Sequence, residues 1–223
     1  MNQPAKAIYL GSTAQHQADK TTRGEFVTFS GEQFYKIENF AALEPFFISL
    51  VSSSDHWLFI ASTGGLTAGR VNAENALFPY YTVDKLTENS ENTGHKAILL
   101  VSLPERTFLW EPLSDRQQGV YRIQRNLYKN TAATALVFEE LNFDLGLTYR
   151  YAWRTCEKFG FVKTTWLVNS RVSACRVEFL DGLQNILPAN VTSQTQITFS
   201  PLLDAYKRSE LHPETGMAIF TLS

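Results

Sequence analysis

The sequence predicts an all-β protein, a large antiparallel two-sheet sandwich with one short helix near the C-terminus. Residues 147–154 give the clearest sign, because large side chains from Leu147 to Trp153 alternate with mostly polar ones. Such a period of two places one face of a strand on a core and the other towards water. Short segments rich in β-branched and aromatic residues recur along the chain and end at turn-forming residues. Only the segment after Ser200 has a convincing helical pattern.

The first half of the chain predicts short strands separated by turns. Residues 45–51 are almost continuously apolar, which fits a strand buried on both faces or a piece of buried helix. The serine-rich turn that follows and the aromatic content favour the strand. Residues 1–22 are interpreted as a peripheral surface segment, and residues 86–95, rich in polar residues, as an exposed connection. The predicted strands here are 25–30, 33–40, 45–51, 56–61, 96–103 and 107–110.

The second half continues this pattern and contains the predicted helix. A tight turn is predicted at Asp181–Gly182, because Asp and Gly are preferred where the chain reverses with positive φ. The helix is predicted to start at Ser200, whose hydroxyl can cap it, with Pro201 in the first helical position. Lys207 and Arg208 lie near its end, where the helix dipole favours cations. The predicted strands are 119–128, 134–143, 147–154, 159–168, 171–180 and 216–223.

Composition and charge indicate one large domain, 1–223, and disfavour several other protein classes. The chain has 223 residues, 44% of them hydrophobic, with 16 Phe, 9 Tyr and 4 Trp to build a core. Its 20 basic and 22 acidic residues nearly cancel, which disfavours nucleic acid as a partner. The sequence has no apolar run of about 18 residues and no secretion signal, so we expect no membrane span and a cytoplasmic location. Cys156 and Cys175 are predicted to be buried reduced thiols.

The stretch 62–85 combines features that strands and solvent loops rarely share. Gly64, Gly65 and Gly69 permit positive φ, and the residues after them mix amides and charges with aromatic rings. This mixture is typical of an ordered loop that lines a ligand cleft, where polar groups orient the ligand and aromatics hold it. The alternative, which stays open, is a loop that covers a sheet edge, with its arginine paired to a carboxylate. The candidate ligand-binding residues are Arg70, Asn72, Asn75, Tyr80, Tyr81 and Asp84.

The sequence pattern predicts no catalytic, metal or cofactor site. The glycines of 62–85 are not followed by Gly-Lys-Ser/Thr, so a phosphate-binding loop is disfavoured. The four histidines lack metal-ligand spacing, and each is interpreted as a surface or turn residue. Glycoside hydrolysis uses two carboxylates on either side of the scissile bond. Glu139 and Glu140 are neighbours on a predicted strand, so their side chains are expected to face opposite sides.

The stretch 62–85 resembles a segment of the glycoside phosphorylase family that includes cellobiose phosphorylase. In that family a Gly-Gly turn after a strand precedes an Asn-x-x-Glu-Asn-like run, an aromatic-proline pair and an aspartate. Residues 178–188 resemble a strand and turn in the N-terminal region of the same proteins. The usual aromatic residue after Gly-Gly is replaced here by Leu66. The matching residues are Gly64, Gly65, Asn72, Asn75, Pro79 and Asp84.

The resemblance implies both a fold and a role. It implies the large supersandwich also found in galactose mutarotase, and it places the family's catalytic aspartate in an (α/α)6 barrel that follows the sandwich. The sequence does not indicate a run of twelve helices. The chain is then expected to be the non-catalytic N-terminal part of a longer glycoside phosphorylase or hydrolase-like protein, which the apolar segment 217–223 favours. The implied partners are a sugar, the helical catalytic domain and, in a homodimer, a second copy.

Two other functions stay open. An autonomous enzyme of the mutarotase type would use a histidine and a carboxylate as acid and base, and the sequence places only His56 directly beside a carboxylate, that of Asp55. A stand-alone carbohydrate-binding module would need neither a partner domain nor a catalytic residue. All three functions have a carbohydrate as ligand and require no cofactor.

Overall fold

The computed structural model describes residues 8–17, 19–79 and 83–222, without the side chains of residues 83, 84, 193, 200 and 201. Strands dominate this part of the chain and all their pairings are antiparallel, which confirms the predicted all-β class. The α-helices described are α1 (Val83–Glu88) and α2 (Ser193–Ala205). The strands are β1 (Ile8–Leu10), β2 (Thr13–Gln15), β3 (Arg23–Phe29), β4 (Glu32–Glu38), β5 (Phe47–Leu50), β6 (His56–Ala61), β7 (Leu66–Arg70), β8 (Gly94–Leu103), β9 (Arg106–Trp110), β10 (Ile123–Asn130), β11 (Ala135–Asn142), β12 (Leu147–Cys156), β13 (Gly160–Asn169), β14 (Arg176–Gln184), β15 (Lys207–His212) and β16 (Met217–Leu222).

Two layers pack face to face around one hydrophobic core. The first layer is a six-stranded sheet in the order β13-β12-β11-β10-β4-β3. The second layer consists of two three-stranded sheets, β14-β8-β9 and β5-β6-β7, so the predicted sandwich is confirmed with its second sheet divided. Leu58 of β6, Leu99 of β8 and Phe138 of β11 belong to this core, and each is at most 1% exposed. Burial of such side chains is the main force that holds the layers together.

Strand β12 forms the centre of the core, as its alternation predicts. Its odd-numbered side chains from Leu147 to Trp153 are almost fully buried between the layers. On the opposite face of the six-stranded sheet, Val137 and Ala152 are buried in a smaller cluster packed against Trp166. β12 also pairs with β11 and β13 along its length. A strand buried on both faces and paired on both edges gives rigid support to a site.

Helix α2 starts earlier than predicted. Thr192 is its N-cap, and the Thr192 Oγ1 accepts a hydrogen bond from the backbone N–H of Thr195 at 3.1 Å. The predicted start at Ser200 instead follows a kink, where Phe199 departs from helical geometry with φ −117° and ψ 22°. Pro201 has no N–H to donate to the preceding turn, and its ring crowds the backbone of that turn, so the helix kinks just before it. The sequence signal for a helix start therefore marks the kink.

Residues 86–95 are not the exposed connection that their polar composition predicts. Leu86 belongs to α1 and is 1% exposed, and β8 already begins at Gly94. His95, which the sequence predicts to be a surface or turn residue, is buried on the inner face of β8. The segment contains the end of α1 and the start of β8, and both elements pack on the core. Tertiary packing therefore outweighs the local preference of the polar residues.

The predicted turn at Asp181–Gly182 is wrong, because β14 continues through both residues. Asp181 lies opposite Ala97 of β8 in a register that is unbroken over the whole of β14. Gly182 has no positive φ, and a Cβ built on it would have no neighbour within 4 Å. The long pairing with β8 outweighs the local turn preference of Asp and Gly. As a result, the carboxylate of Asp181 lies on the same face of its sheet as His95.

Candidate functional site

A cavity of about 230 Å³ lies between the two layers. The inner face of the six-stranded sheet contributes Arg125, Phe138 and Tyr151 to its wall, and β8 contributes His95. The turn Ser62–Gly64, which opens the polar and aromatic stretch, also lines it. A concave space with a few polar groups among apolar walls is the usual form of a small-molecule site.

Arg125 brings a positive charge into the interior. Its side chain is largely buried, and its guanidinium donates from Nε to Glu140 Oε2 at 2.8 Å and from Nη1 to Asp115 Oδ1 at 2.7 Å. Nη2 donates to the carbonyl oxygen of Ser114 at 2.6 Å. Burial alone would lower the pKa of Arg125, but the two carboxylates raise it above its usual value. The guanidinium is therefore a fixed, ionised part of the wall.

Glu140 holds Arg125 in place from the neighbouring strand β11. Its carboxylate is almost fully buried and accepts hydrogen bonds from Trp110 Nε1 at 2.7 Å and from the Leu113 N–H at 2.8 Å, as well as from Arg125. Trp110 is therefore a core residue bonded to Glu140, and its ring offers no surface on which a sugar could stack. Glu139 faces the opposite side of the sheet, which confirms the prediction that these two glutamates do not form a pair.

A second group of charges surrounds Lys96, beside the cavity. The Lys96 Nζ lies 2.6 Å from Glu111 Oε2 and 3.1 Å from Glu91 Oε2. Glu91 also accepts from Ser114 Oγ at 2.7 Å, and its Oε2 lies 3.3 Å from Arg116 Nε. Burial raises the pKa of Glu91, but the hydrogen bonds from Ser114 and Lys96 outweigh burial and hold the pKa below its usual value. Every charge in this group therefore has an opposite partner.

His95 places a neutral imidazole in the cavity wall. Its ring stacks on that of Tyr151 with centroids 4.0 Å apart, and its Nε2 lies 3.4 Å from Tyr149 Oη. Its Nδ1 lies 3.7 Å from Asp181 Oδ1 and has no hydrogen-bond partner among the described atoms. Burial lowers the pKa of His95 to about 3, and the charge of Lys163 contributes to the shift. The imidazole is therefore uncharged at neutral pH.

Asp181 anchors a polar cluster next to His95. Lys163 Nζ lies 2.8 Å from both carboxylate oxygens, Tyr149 Oη donates to Oδ1 at 2.7 Å, and Thr165 Oγ1 donates to Oδ2 at 2.9 Å. Burial raises the pKa of Asp181, but the hydrogen bonds from Lys163, Tyr149 and Thr165 hold it below its usual value. Burial and the bond to Asp181 raise the pKa of Tyr149. The cluster is thus a fixed polar support that joins β12, β13 and β14.

The predicted ligand-binding residues lie apart from this cavity where the structure describes them. Arg70 ends β7 and is exposed, without an ion pair to any described residue. Asn72 Oδ1 accepts from Asn75 Nδ2 at 2.9 Å and from the Glu74 N–H at 3.2 Å, so both asparagines bond within their own short turn. None of the three predicted residues lines the cavity. The two asparagines therefore bond within a structural turn, whereas Arg70 lacks the carboxylate partner that the open alternative expects among the described residues.

The other predicted binding residues have no described contacts. Tyr80 and Tyr81 lie outside the described residues, as does the side chain of Asp84, whose backbone belongs to α1. Of the stretch 62–85, Ser62, Thr63 and Gly64 are the described residues that line the cavity.

One sequence signal could have located Arg125 and Glu140. Arg125 lies between Ile123 and Leu127 at an inward position of an alternating strand, and Glu140 follows Phe138 at the next such position of its own strand. A charge on the apolar face of a strand needs a buried partner, so two opposite charges on neighbouring strands indicate a pair. His95 and Asp181 offer no comparable signal, since their neighbours in the sequence do not reveal which strands pair.

The described residues contain no group of three or more His, Cys, Asp or Glu side chains arranged to hold a metal ion. None of the helices within the described ranges is both long and apolar enough to cross a membrane. No known family model matches this chain, and no curated protein sequence matches it either.

Proposed function

We propose that this protein binds a sugar in the cavity between its layers and is a non-catalytic sandwich domain of a carbohydrate-active protein. The observation that carries the proposal is the mixture of groups in the cavity wall. The rings of Phe138 and Tyr151 stack with centroids 5.0 Å apart and form a rigid apolar part of the wall, while Arg125 and Asp115 hold charged donors and acceptors in fixed positions. Sugar hydroxyls both donate and accept hydrogen bonds, which suits a few fixed polar groups in an otherwise apolar wall.

The state of the carboxylates supports binding rather than cleavage. Glycoside hydrolysis needs a carboxyl group that stays protonated until it donates to the leaving oxygen. The pKa of Glu91 is held below its usual value, so its carboxylate is ionised instead. Glu140 already accepts from three donors, all within the protein. Neither group suits the role of a catalytic acid.

The wider role in this proposal is that of an N-terminal domain that packs on a helical catalytic domain, supports dimerisation and contributes the turn Ser62–Gly64 to the sugar site. The resemblance of residues 62–85 to glycoside phosphorylases supports it. Exposed apolar side chains on α2 and on the β15–β16 hairpin, such as Ile197 and Leu211, add support, because exposed apolar surface commonly marks a contact site. The two cysteines are half-buried instead of buried as predicted, and their free thiols support a cytoplasmic location.

Saturation-transfer NMR with glucose, galactose, mannose and cellobiose tests sugar binding directly. The hydroxyl of Tyr151 lies beside the lining turn, since a Cβ on Gly64 would be 3.5 Å from Tyr151 Oη. We expect the wild-type protein to bind at least one of these sugars and Tyr151→Phe to bind it about tenfold more weakly. Tyr35→Phe, at an exposed position outside the cavity, is the matched control. Wild-type protein that binds none of the four sugars would overturn the proposal.

A second candidate function, that of a mutarotase-type enzyme, is favoured by one observation. His95 lines the cavity from the central strand of its sheet, and a carboxylate oxygen of Asp181 on the neighbouring strand lies 3.7 Å from its Nδ1. The sequence alone offers such a histidine–carboxylate pair only at His56. A neutral histidine can accept the proton of an anomeric hydroxyl, but a pKa of about 3 makes His95 a weak base.

The rate at which α-glucose converts to β-glucose, followed by polarimetry, separates the two candidates. An enzyme would raise this rate above that of buffer, and His95→Asn would remove the increase. A rate equal to that of buffer, together with sugar binding by NMR, would support the non-catalytic domain.

A further inference from the structure

We propose that the cavity selects sugars without a negative charge and excludes those that carry phosphate. The inference rests on the proposed sugar binding and specifies the ligand class of the same site. It follows from the pairing of the charged side chains around the cavity and from the hydrogen bonds of the turn that lines it.

The cations around the cavity already have anionic partners. Lys96 lies within 3.1 Å of carboxylate oxygens of both Glu91 and Glu111, and Arg125 donates to two other carboxylates. Proteins usually bind phosphate through arginine or lysine side chains whose N–H groups are available to it. Here a phosphate group would have to displace a carboxylate from its cation.

Carboxylates also outnumber cations in these ion pairs. The neutral imidazole of His95 adds no positive charge. The charged side chains that line the cavity are two of each sign, and their ion-pair partners bring the set to four carboxylates and three cations. One excess negative charge therefore lies behind the cavity wall, where it repels an anion more strongly than it would in water. The carboxylates are those of Glu91, Glu111, Asp115 and Glu140, and the cations are Lys96, Arg116 and Arg125.

The backbone of the lining turn does not compensate for this charge. The N–H of Ser62 donates to the carbonyl oxygen of Phe46 at 2.8 Å, and that of Gly64 donates to the carbonyl oxygen of Ala61 at 2.8 Å. Phosphate-binding loops instead direct several unpaired N–H groups at one point. With these two groups engaged, the turn has few donors left for an anion.

The remaining polar groups suit hydroxyls. Tyr151, Ser90 and Gln118 line the cavity with neutral polar side chains, which can bond to sugar hydroxyls without breaking an ion pair. The excess negative charge also attracts the positively charged ammonium group of an amino sugar. Neutral sugars and amino sugars therefore form the expected ligand class.

Calorimetric titration of the wild-type protein with glucose, galactose, mannose, glucosamine and the 6-phosphates of the three neutral sugars tests this inference. We expect each 6-phosphate to bind at least tenfold more weakly than its parent sugar. Asp115→Asn removes the negative charge of an exposed carboxylate from Nη1 of Arg125, which Glu140 still holds through Nε. It should raise the affinity for the 6-phosphate relative to the parent sugar about fivefold. Asp204→Asn, which removes a similarly exposed carboxylate from α2, should leave this ratio unchanged.

The possible failures are distinguishable. A wild-type protein that binds a 6-phosphate as tightly as its parent sugar would overturn the charge selection but leave sugar binding intact. An Asp115→Asn ratio equal to that of Asp204→Asn would also overturn it, because ion pairing would then not control selection. A protein that binds none of these compounds, and does not bind cellobiose by NMR either, would overturn the proposed function itself.

Discussion

His95 of β8 and Tyr151 of β12 stack across the two layers of the sandwich with their ring centroids 4.0 Å apart. The contact joins the central strand of a three-stranded sheet to the most deeply buried part of the six-stranded sheet. Burial disfavours a charged imidazole at this position, so the contact depends on a neutral histidine. Protonation of His95 and packing of the two layers are therefore linked.

The first prediction is that the protein loses stability as the pH falls below about 6.5. The pKa of His95 is about 3 in the folded protein, against 6.5 for an unperturbed histidine. Between these two values the unfolded chain binds the proton and the folded protein does not. The contribution of His95 to stability is therefore complete above pH 6.5 and is lost as the pH falls towards 3. Urea unfolding should show a loss of about 1 kcal/mol between pH 7 and pH 5.5.

The control for this prediction is an exposed histidine. His95→Gln should remove most of the pH dependence, while His212→Gln, at an exposed position of β15, should keep it. The slope of stability against pH is compared, because a change at a buried position also lowers the stability itself. An unchanged slope in His95→Gln would mean that another group titrates in this range.

A second prediction concerns the anchor of the polar cluster. Asp181→Ala leaves Lys163 and Tyr149 without their common acceptor, so it should lower the free energy of unfolding by about 2–3 kcal/mol. Adding Lys163→Met should recover part of this loss, since no uncompensated charge then remains.

The stabilisation by Asp181 also depends on pH. Because the pKa of Asp181 is lowered on folding, its contribution to the free energy of unfolding is present above about pH 4 and is lost at more acidic pH.

Glu178→Ala is the matched control for Asp181→Ala. Glu178 lies on the same strand and pairs with Arg176 at the surface, where such pairs contribute little. Denaturant unfolding of the variants gives the comparison. Equal stability of Asp181→Ala and Glu178→Ala would mean that the cluster does not support the fold.

Alternation along the chain predicts the strands but not their order. The odd-numbered residues of β12 can be assigned to the core one by one, because neighbouring side chains of a strand face opposite sides. The pairing of β4 with β10 brings Glu38 opposite Asn126, and no local pattern indicates a contact between residues so far apart in the sequence. The cavity depends on this order, since it places β10, β11 and β12 side by side in one wall.

The site itself depends on strand pairings that local sequence patterns do not predict. Asp181 and His95 come together because β14 pairs with β8, whereas the dipeptide Asp181–Gly182 has the local preference of a turn. The polar composition of residues 86–95 hides the start of β8 in the same way. Gly64 indicates the turn at Ser62–Gly64, because residues other than glycine rarely adopt positive φ, whereas Gly65 and Gly69 do not have positive φ.

A third prediction tests the extended conformation of Gly182. Since its φ is not positive and its Cβ position is open, Gly182→Val should change the free energy of unfolding by less than about 0.5 kcal/mol. Gly94→Val is the contrasting variant, because Gly94 has φ +93° and a Cβ there would lie 2.8 Å from Leu66. It should cost at least about 2 kcal/mol in thermal or urea unfolding. A comparable loss in Gly182→Val would indicate a turn at this position after all.

The last prediction separates the two interpretations of the stretch 62–85. Asn72 accepts two hydrogen bonds in its turn, so Asn72→Ala should lower the free energy of unfolding by about 1 kcal/mol. Arg70 is exposed and forms no ion pair with the described residues, so Arg70→Ala should change it by less than about 0.5 kcal/mol. Neither residue lines the cavity, and both variants should therefore bind sugar in saturation-transfer NMR as the wild type does, in contrast to Tyr151→Phe. Weaker sugar binding by Arg70→Ala at unchanged stability would place the ligand beside this loop instead of between the layers.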